Sequence, residues 1–181
     1  IGLGLLEAIP EADILARGDP DARDGDGISG RANRVWSVEN GALMLGRFGW
    51  KAGQPTVKQQ AAEAFAADIG IGSPLVPHGY GDCTPAQKLC REAPHGGRGA
   101  KGSGEEINAK LLDLVAFYAR NLAVPARRTP DAPDVLRGKQ IFHDIGCASC
   151  HVPSHKTGEQ SPDEHLRGQT IWPYTDLLLH D

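Results

Sequence analysis

The stretch Gly146-Cys147-Ala148-Ser149-Cys150-His151 sets two thiols and an imidazole side by side in a chain that holds four cysteines in all. Two thiols separated by two small residues can each form a thioether to a vinyl group on one edge of a haem. A histidine directly after the second thiol can turn under the ring and bind iron. On that reading Cys147 and Cys150 hold haem c covalently and His151 is the proximal ligand. The other ring nitrogen of His151 is then expected to donate to a carbonyl, with Pro153 supporting the loop. Two further chemistries use thiols at this spacing. A redox dithiol follows a strand and opens a helix, whereas this motif is predicted to end a helix. A structural zinc ion needs two more close ligands, and Cys83 and Cys90, with six residues between them, do not have the spacing of a zinc knuckle.

A sixth iron ligand is harder to find. The single methionine, Met44, lies far upstream, His143 precedes the motif, and His155, His165 and His180 follow it. Each of these histidines reads more readily as a solvated polar residue than as a ligand. A separate set of oxygen donors lies between Ala22 and Asn33. Asp24 and Asp26, with Gly27 at the turn, the Ile28 carbonyl and Asn33 at the last place, partly follow the ligand order of a calcium loop. Ala22 stands where an acid is wanted, and the Asn33 amide cannot chelate with two carboxylate oxygens. Asp19 and Asp21 lie close by, so a bound calcium ion and a solvated Asp/Gly turn are both open readings.

The elements that must position these groups are expected to be helical. Leu3 to Leu15 reads as a short interrupted helix with Pro10 at a turn, and Pro55 to Asp68 as a helix whose Val57, Ala61, Phe65 and Ile69 share a face. The region 72–103 reads as a long loop. A helix is predicted from near Ser103, with Glu105 and Glu106 in its first turn and a buried stripe of Ile107, Leu111, Leu114, Val115, Tyr118 and Leu122. Another helix is predicted from about Pro133 to Ile145, delivering the thiols at its end. The 23 glycines and 13 prolines call for long irregular connections, and β-branched alternation is nearly absent. The expectation is an all-α fold: cytochrome c-like helical units joined by irregular Gly/Pro-rich loops. The stiff segment Val124 to Asp134 suggests a boundary between an inter-haem helical region, 1–124, and the start of a truncated C-terminal haem domain, 125–181.

Composition excludes some functions. A net charge of -4 with mixed signs speaks against a nucleic-acid binder. No apolar run reaches the roughly 18 residues that span a bilayer. The N-terminus lacks the basic lead of a signal peptide, so any export signal is expected to be removed or to lie upstream. Haem c is attached outside the cytoplasm, so a periplasmic or otherwise exported location is expected. There Cys83 and Cys90 are best read as a disulfide, with a reduced pair as the alternative.

Several stretches together resemble one family. "DGDGISGRANRVW", "LGRFGWKAGQPTVKQQ", "LVAFYARNLAVPARR", "GCASCH" and "GQTIWPYTDLLLHD" are similar to segments of the bacterial di-haem oxidoreductases, also called thiol oxidoreductases. These are distant relatives of the di-haem cytochrome c peroxidases. The resemblance implies two haems, each on its own CxxCH, of which this sequence carries one. It implies that His151 serves the electron-transferring haem and that calcium lies between the haem domains. It further implies an electron relay at Trp50 and catalytic roles near the other haem for Gln60 and Asp68, although Asp68 departs from the pattern in type and spacing. Without the resemblance, Trp50 reads as core and Gln60 and Asp68 as polar faces of a helix. The expected function is the electron-transfer part of a peroxidase-type enzyme. Its partner would be a redox protein or a second haem domain of the same polypeptide. A mono-haem electron carrier is the alternative.

Overall fold

The computed structural model describes residues 1–23, 25, 27–97 and 105–180. Among them are six α-helices and two two-stranded antiparallel sheets. Pro10 divides the opening apolar segment into α1 (Leu3–Glu7) and α2 (Glu11–Leu15), and its fixed φ of -57° begins the second helix. Strands β1 (Arg34–Ser37) and β2 (Ala42–Leu45) form a hairpin that pairs Val35 with Met44 and Trp36 with Leu43. Helix α3 (Val57–Ile69) is capped by the Thr56 hydroxyl, which accepts from the Gln59 amide, and ends at Gly70 in the left-handed conformation. A short α4 (Lys88–Arg91) lies in the cysteine loop, α5 (Ala109–Asn121) is capped by Asn108, and α6 (Pro133–Asp144) starts on its proline. The second sheet pairs β3 (His155–Lys156) with β4 (Thr170–Ile171).

The expectation of an all-α, cytochrome c-like fold is therefore overturned. Helix makes up 36% and strand 11%, in six short helices and two small sheets among the described residues, which is a mixed rather than an all-α architecture. The hairpin has a local cause. Asn40-Gly41 is a strong turn signal, and Gly41 takes φ 60° there, which folds the flanking apolar residues back on each other. The β3/β4 pair has two residues a side, too short to leave a period in the sequence.

Helix faces also differ from expectation. On α3 the buried positions are Val57, Gln59, Ala62 and Ala66, while Ile69 is exposed. On α5 they are Leu112 and Ala116, and Leu111, Leu114 and Tyr118 face outward. Small alanines let α3 and α5 approach closely, so the contact selects the narrow face rather than the bulky one. Ala62, Ala66, Val76 and Leu112 form one core cluster. The other joins Ile9, Ile14 and Leu45 to Ile171 and Leu177 from beyond the proline-rich segment.

Helix α1 is held on several sides. A Cβ on Gly4 would lie 2.5 Å from the Arg120 carbonyl, so only glycine permits this approach to α5. The Gly2 amide donates to Leu122 O and the Gly158 amide to Ala8 O, each at 2.8 Å. Glu7 receives the Val57 amide at 2.8 Å on one oxygen and pairs with Arg120 Nε at 2.8 Å on the other, which links α1, α3 and α5. Arg47 Nη1 donates to Ile9 O at 2.7 Å and Leu6 O at 3.1 Å, satisfying carbonyls at the end of α1. Burial pulls this guanidinium below its usual pKa, against the opposing effect of Glu11 and Glu7.

Candidate functional site

Helix α6 stops at Asp144, and Gly146, at φ 83°, reverses the chain into a 3₁₀ turn over Cys147–Ser149. The His151 amide donates to Cys147 O at 2.9 Å, closing the turn with both thiols and the imidazole on one short loop. Cys147 and Cys150 are half-buried thiols. His151 Nδ1 lies 3.1 Å from the backbone carbonyl of Tyr174. A carbonyl can only accept, so in the neutral ring Nδ1 carries the hydrogen and Nε2 the lone pair. This is the tautomer an iron-binding histidine needs, and the donor set of two thiols and one oriented imidazole fits haem c.

Aromatic rings fix the surroundings. Phe142 of α6 meets the Tyr174 ring edge-on at 5.4 Å and lies 6.4 Å from the His151 ring. Arg127 donates to the Tyr174 hydroxyl at 2.8 Å, with its guanidinium carbon 5.7 Å from the ring centroids of both Trp172 and Tyr174. Val135, Leu136 and Ile141 leave apolar surface exposed on α6, and Ile145 does so just past its end. A cavity of about 420 Å³ opens between Val135, Leu136, Phe142, Trp172 and Tyr174. Behind the motif, Ala148, Ser149 and Val152 face Arg17, Asp19 and Asp176 across a cleft of about 640 Å³. The start of the Asp/Gly loop thus adjoins the thiol turn.

The remaining sequence-predicted residues lie elsewhere. Asp24 and Asp26 fall outside the described residues. Asn33, offered as a calcium ligand beside the Ile28 carbonyl, directs its side-chain amide to the carbonyls of Lys51 and Ala52 at 3.1 and 3.2 Å. No cluster of three His, Cys, Asp or Glu residues suited to a metal ion occurs among the described residues. Met44 Sδ accepts from Asn40 Nδ2 within the hairpin. His155 is buried, with Nε2 at 2.7 Å from Thr175 O, and His180 Nε2 pairs with Asp176 at 2.7 Å.

Trp50 is not core: it is 92% exposed. It stands on a turn closed by mutual hydrogen bonds of Phe48 and Gln54, in which Gly49, Lys51 and Ala52 all take positive φ. For Lys51 and Ala52 that conformation costs about 1 to 3 kcal/mol each, which Asn33 and the Phe48/Gln54 pairing offset by holding the turn closed. Gln60 lies beneath it, its Oε1 2.5 Å from where a Cβ on Gly49 would stand. That oxygen is buried with no hydrogen-bond partner among the described residues. The structure thus brings Trp50 and Gln60 together, whereas Asp68 is exposed two turns along α3, about 12 Å of helix rise away. Sequence reasoning missed Tyr174 and Arg127. Only the clustering of Trp172 and Tyr174 marks the region, and a contact across 23 positions of sequence, from His151 to Tyr174, leaves no local signal.

An imidazole with one bare nitrogen, two thiols beside it and an apolar face alongside make the donor set of a protein built around a redox prosthetic group. The family described as "Di-haem oxidoreductase, putative peroxidase" matches residues 1–181, and the chain belongs to that family. Neither the curated proteins nor the solved structures give a match.

Proposed function

We propose that this chain binds haem c through Cys147, Cys150 and His151 and serves as the electron-transferring part of an exported di-haem oxidoreductase. The observation that carries this reading is the 3.1 Å contact of His151 Nδ1 with Tyr174 O, which leaves Nε2 free to bind iron beside two thiols. When bound, the haem supplies a one-electron ferric/ferrous couple. The protein's own part is to anchor and orient. The thiols fix the ring edge, the Tyr174 carbonyl holds the imidazole tautomer and angle, and Phe142 with the apolar residues of α6 keeps water from one side.

The family is di-haem and the chain has one CxxCH, so the second haem belongs to another segment or another polypeptide. Trp50 supports an electron relay towards that unit, since it projects from a turn held in one conformation and is open to contact. Gln60 beneath it has a buried acceptor, and Asp68 has the weakest support of the three. The Cys83 and Cys90 sulfurs lie within bonding distance, in keeping with a disulfide and an exported location.

The test is the spectrum of the reduced pyridine complex together with the mass of the denatured chain. An added mass of one haem that survives acid-acetone extraction is expected. Colourless protein, or haem lost on extraction, would overturn the reading.

A further inference from the structure

The geometry points to Arg127 as a positioning residue for the iron-binding histidine, acting through Tyr174 rather than by touching iron or imidazole. The inference rests on the haem reading above and concerns how the orientation of His151 is enforced.

Three observations converge. Tyr174 takes φ 54°, a left-handed conformation rare for an aromatic residue. Such a conformation persists only where surrounding contacts over-determine it. Its carbonyl is the group that receives His151 Nδ1–H. Its side chain is held at the opposite end by Arg127, which donates to the hydroxyl at 2.8 Å, and is braced edge-on by Phe142 at 5.4 Å. Arg127 comes from the proline-rich segment, between Pro125 and Pro130. Its planar guanidinium also lies against Trp172, two residues before Tyr174. Releasing Arg127 removes a restraint on the strained residue, whose peptide can then rotate its carbonyl away from His151.

The consequence is electronic. A hydrogen bond at Nδ1 raises the basicity of the imidazole and favours the ferric state. Weakening it shifts the midpoint potential upward. The experiment compares Arg127→Gln, Tyr174→Phe and the double variant in the haem-loaded chain, with haem content and circular dichroism as controls. Tyr174→Phe keeps the ring, the backbone and the Phe142 contact and loses only the hydroxyl. Both single variants should shift the midpoint upward, changing the ferric-to-ferrous ratio at fixed potential by about tenfold. The double variant should shift it no further, since both substitutions break one link. Unchanged midpoints, or shifts that add, would overturn the inference.

A second readout needs no haem. In the haem-free chain, ¹⁵N resonances of the His151 ring should report the Nδ1–H tautomer for the wild type and a mixture for both variants. Identical ring resonances in all three would also overturn the clamp. A wild type that takes up no haem while its variants still lose the tautomer would sink the proposed function and leave the clamp standing.

Discussion

At the residue level, the three bonds proposed to hold the haem fail separately. Cys147→Ala or Cys150→Ala removes one thioether, so acid-acetone extraction should release more haem than from the wild type. His151→Ala should retain attached haem with altered coordination, visible as a shifted Soret band. If both cysteine variants resist extraction fully, attachment is elsewhere. Gln59 gives a test of stability away from that site. Its buried amide receives the Val38 amide at 2.9 Å and donates to Trp36 O and Gln54 Oε1 at 3.0 and 2.9 Å, joining α3 to the hairpin and the Trp50 turn. Gln59→Leu should cost about 2 to 3 kcal/mol in urea unfolding, because it strands these buried groups. A loss under half a kcal/mol would mean that the partners find water. The thiols and His151 stood out in the sequence because the proposed haem attachment needs them within five consecutive positions. Gln59 did not, because a glutamine in a helix is ordinarily exposed and only the tertiary approach of the hairpin buries it.

At the level of elements, the junction of α3 with α5 and the hairpin turn carries a pH dependence. Lys58 pairs with Asp113 at 2.8 Å and Glu39 at 2.7 Å. The Asp113 hydrogen bond first, and then that of Glu39, raise its pKa above the ordinary lysine value. A folded-state pKa above the unfolded one means the stabilisation is complete below the unfolded value, about 10.4, and is lost as pH rises through the folded one. The difference in urea midpoint between wild type and Lys58→Met should therefore begin to close only above about pH 10.4, vanish once pH has passed the raised folded value, and shrink in high salt. A difference constant through that range would point to lost packing of the lysine stem instead. Several helix boundaries were legible from local signals, Pro10 as a break, Gly70 as a stop and Pro133 as a start, whereas the helix expected from near Ser103 begins only at Ala109, capped by Asn108, with neither Glu105 nor Glu106 in its first turn. The buried faces of the helices were not legible. On α5 the bulkier residues make the more convincing stripe, yet contact with alanine-rich α3 favours the face of Leu112 and Ala116.

For the whole molecule, the distribution of sites predicts limited activity. Trp50 stands on its turn with Gln60 of α3 beneath it, and His151 lies with Phe142 and Tyr174, with no contact recorded between the two groups among the described residues. The haem-loaded chain should therefore oxidise a dye donor with hydrogen peroxide no faster than free haem. Turnover well above that level would assign catalysis to the His151 haem and reverse the proposed roles. Resemblance across the chain made the family legible, whereas the mixed α and β architecture was hidden by strands two to four residues long.

The setting of α1 bears on how the chain is made. Gly2 and Gly4 are synthesised well before the groups they meet: Leu122 O and the Arg120 carbonyl come more than a hundred positions later, and Gly158, which donates to Ala8, later still. At about 5 to 20 residues per second, α1 waits about 6 to 30 s without its partners. A five-residue helix has no stability of its own over that interval. The N-terminal segment should therefore remain accessible to proteases or chaperones on arrested chains that stop before residue 158, and become protected only once the chain beyond the thiol motif has emerged.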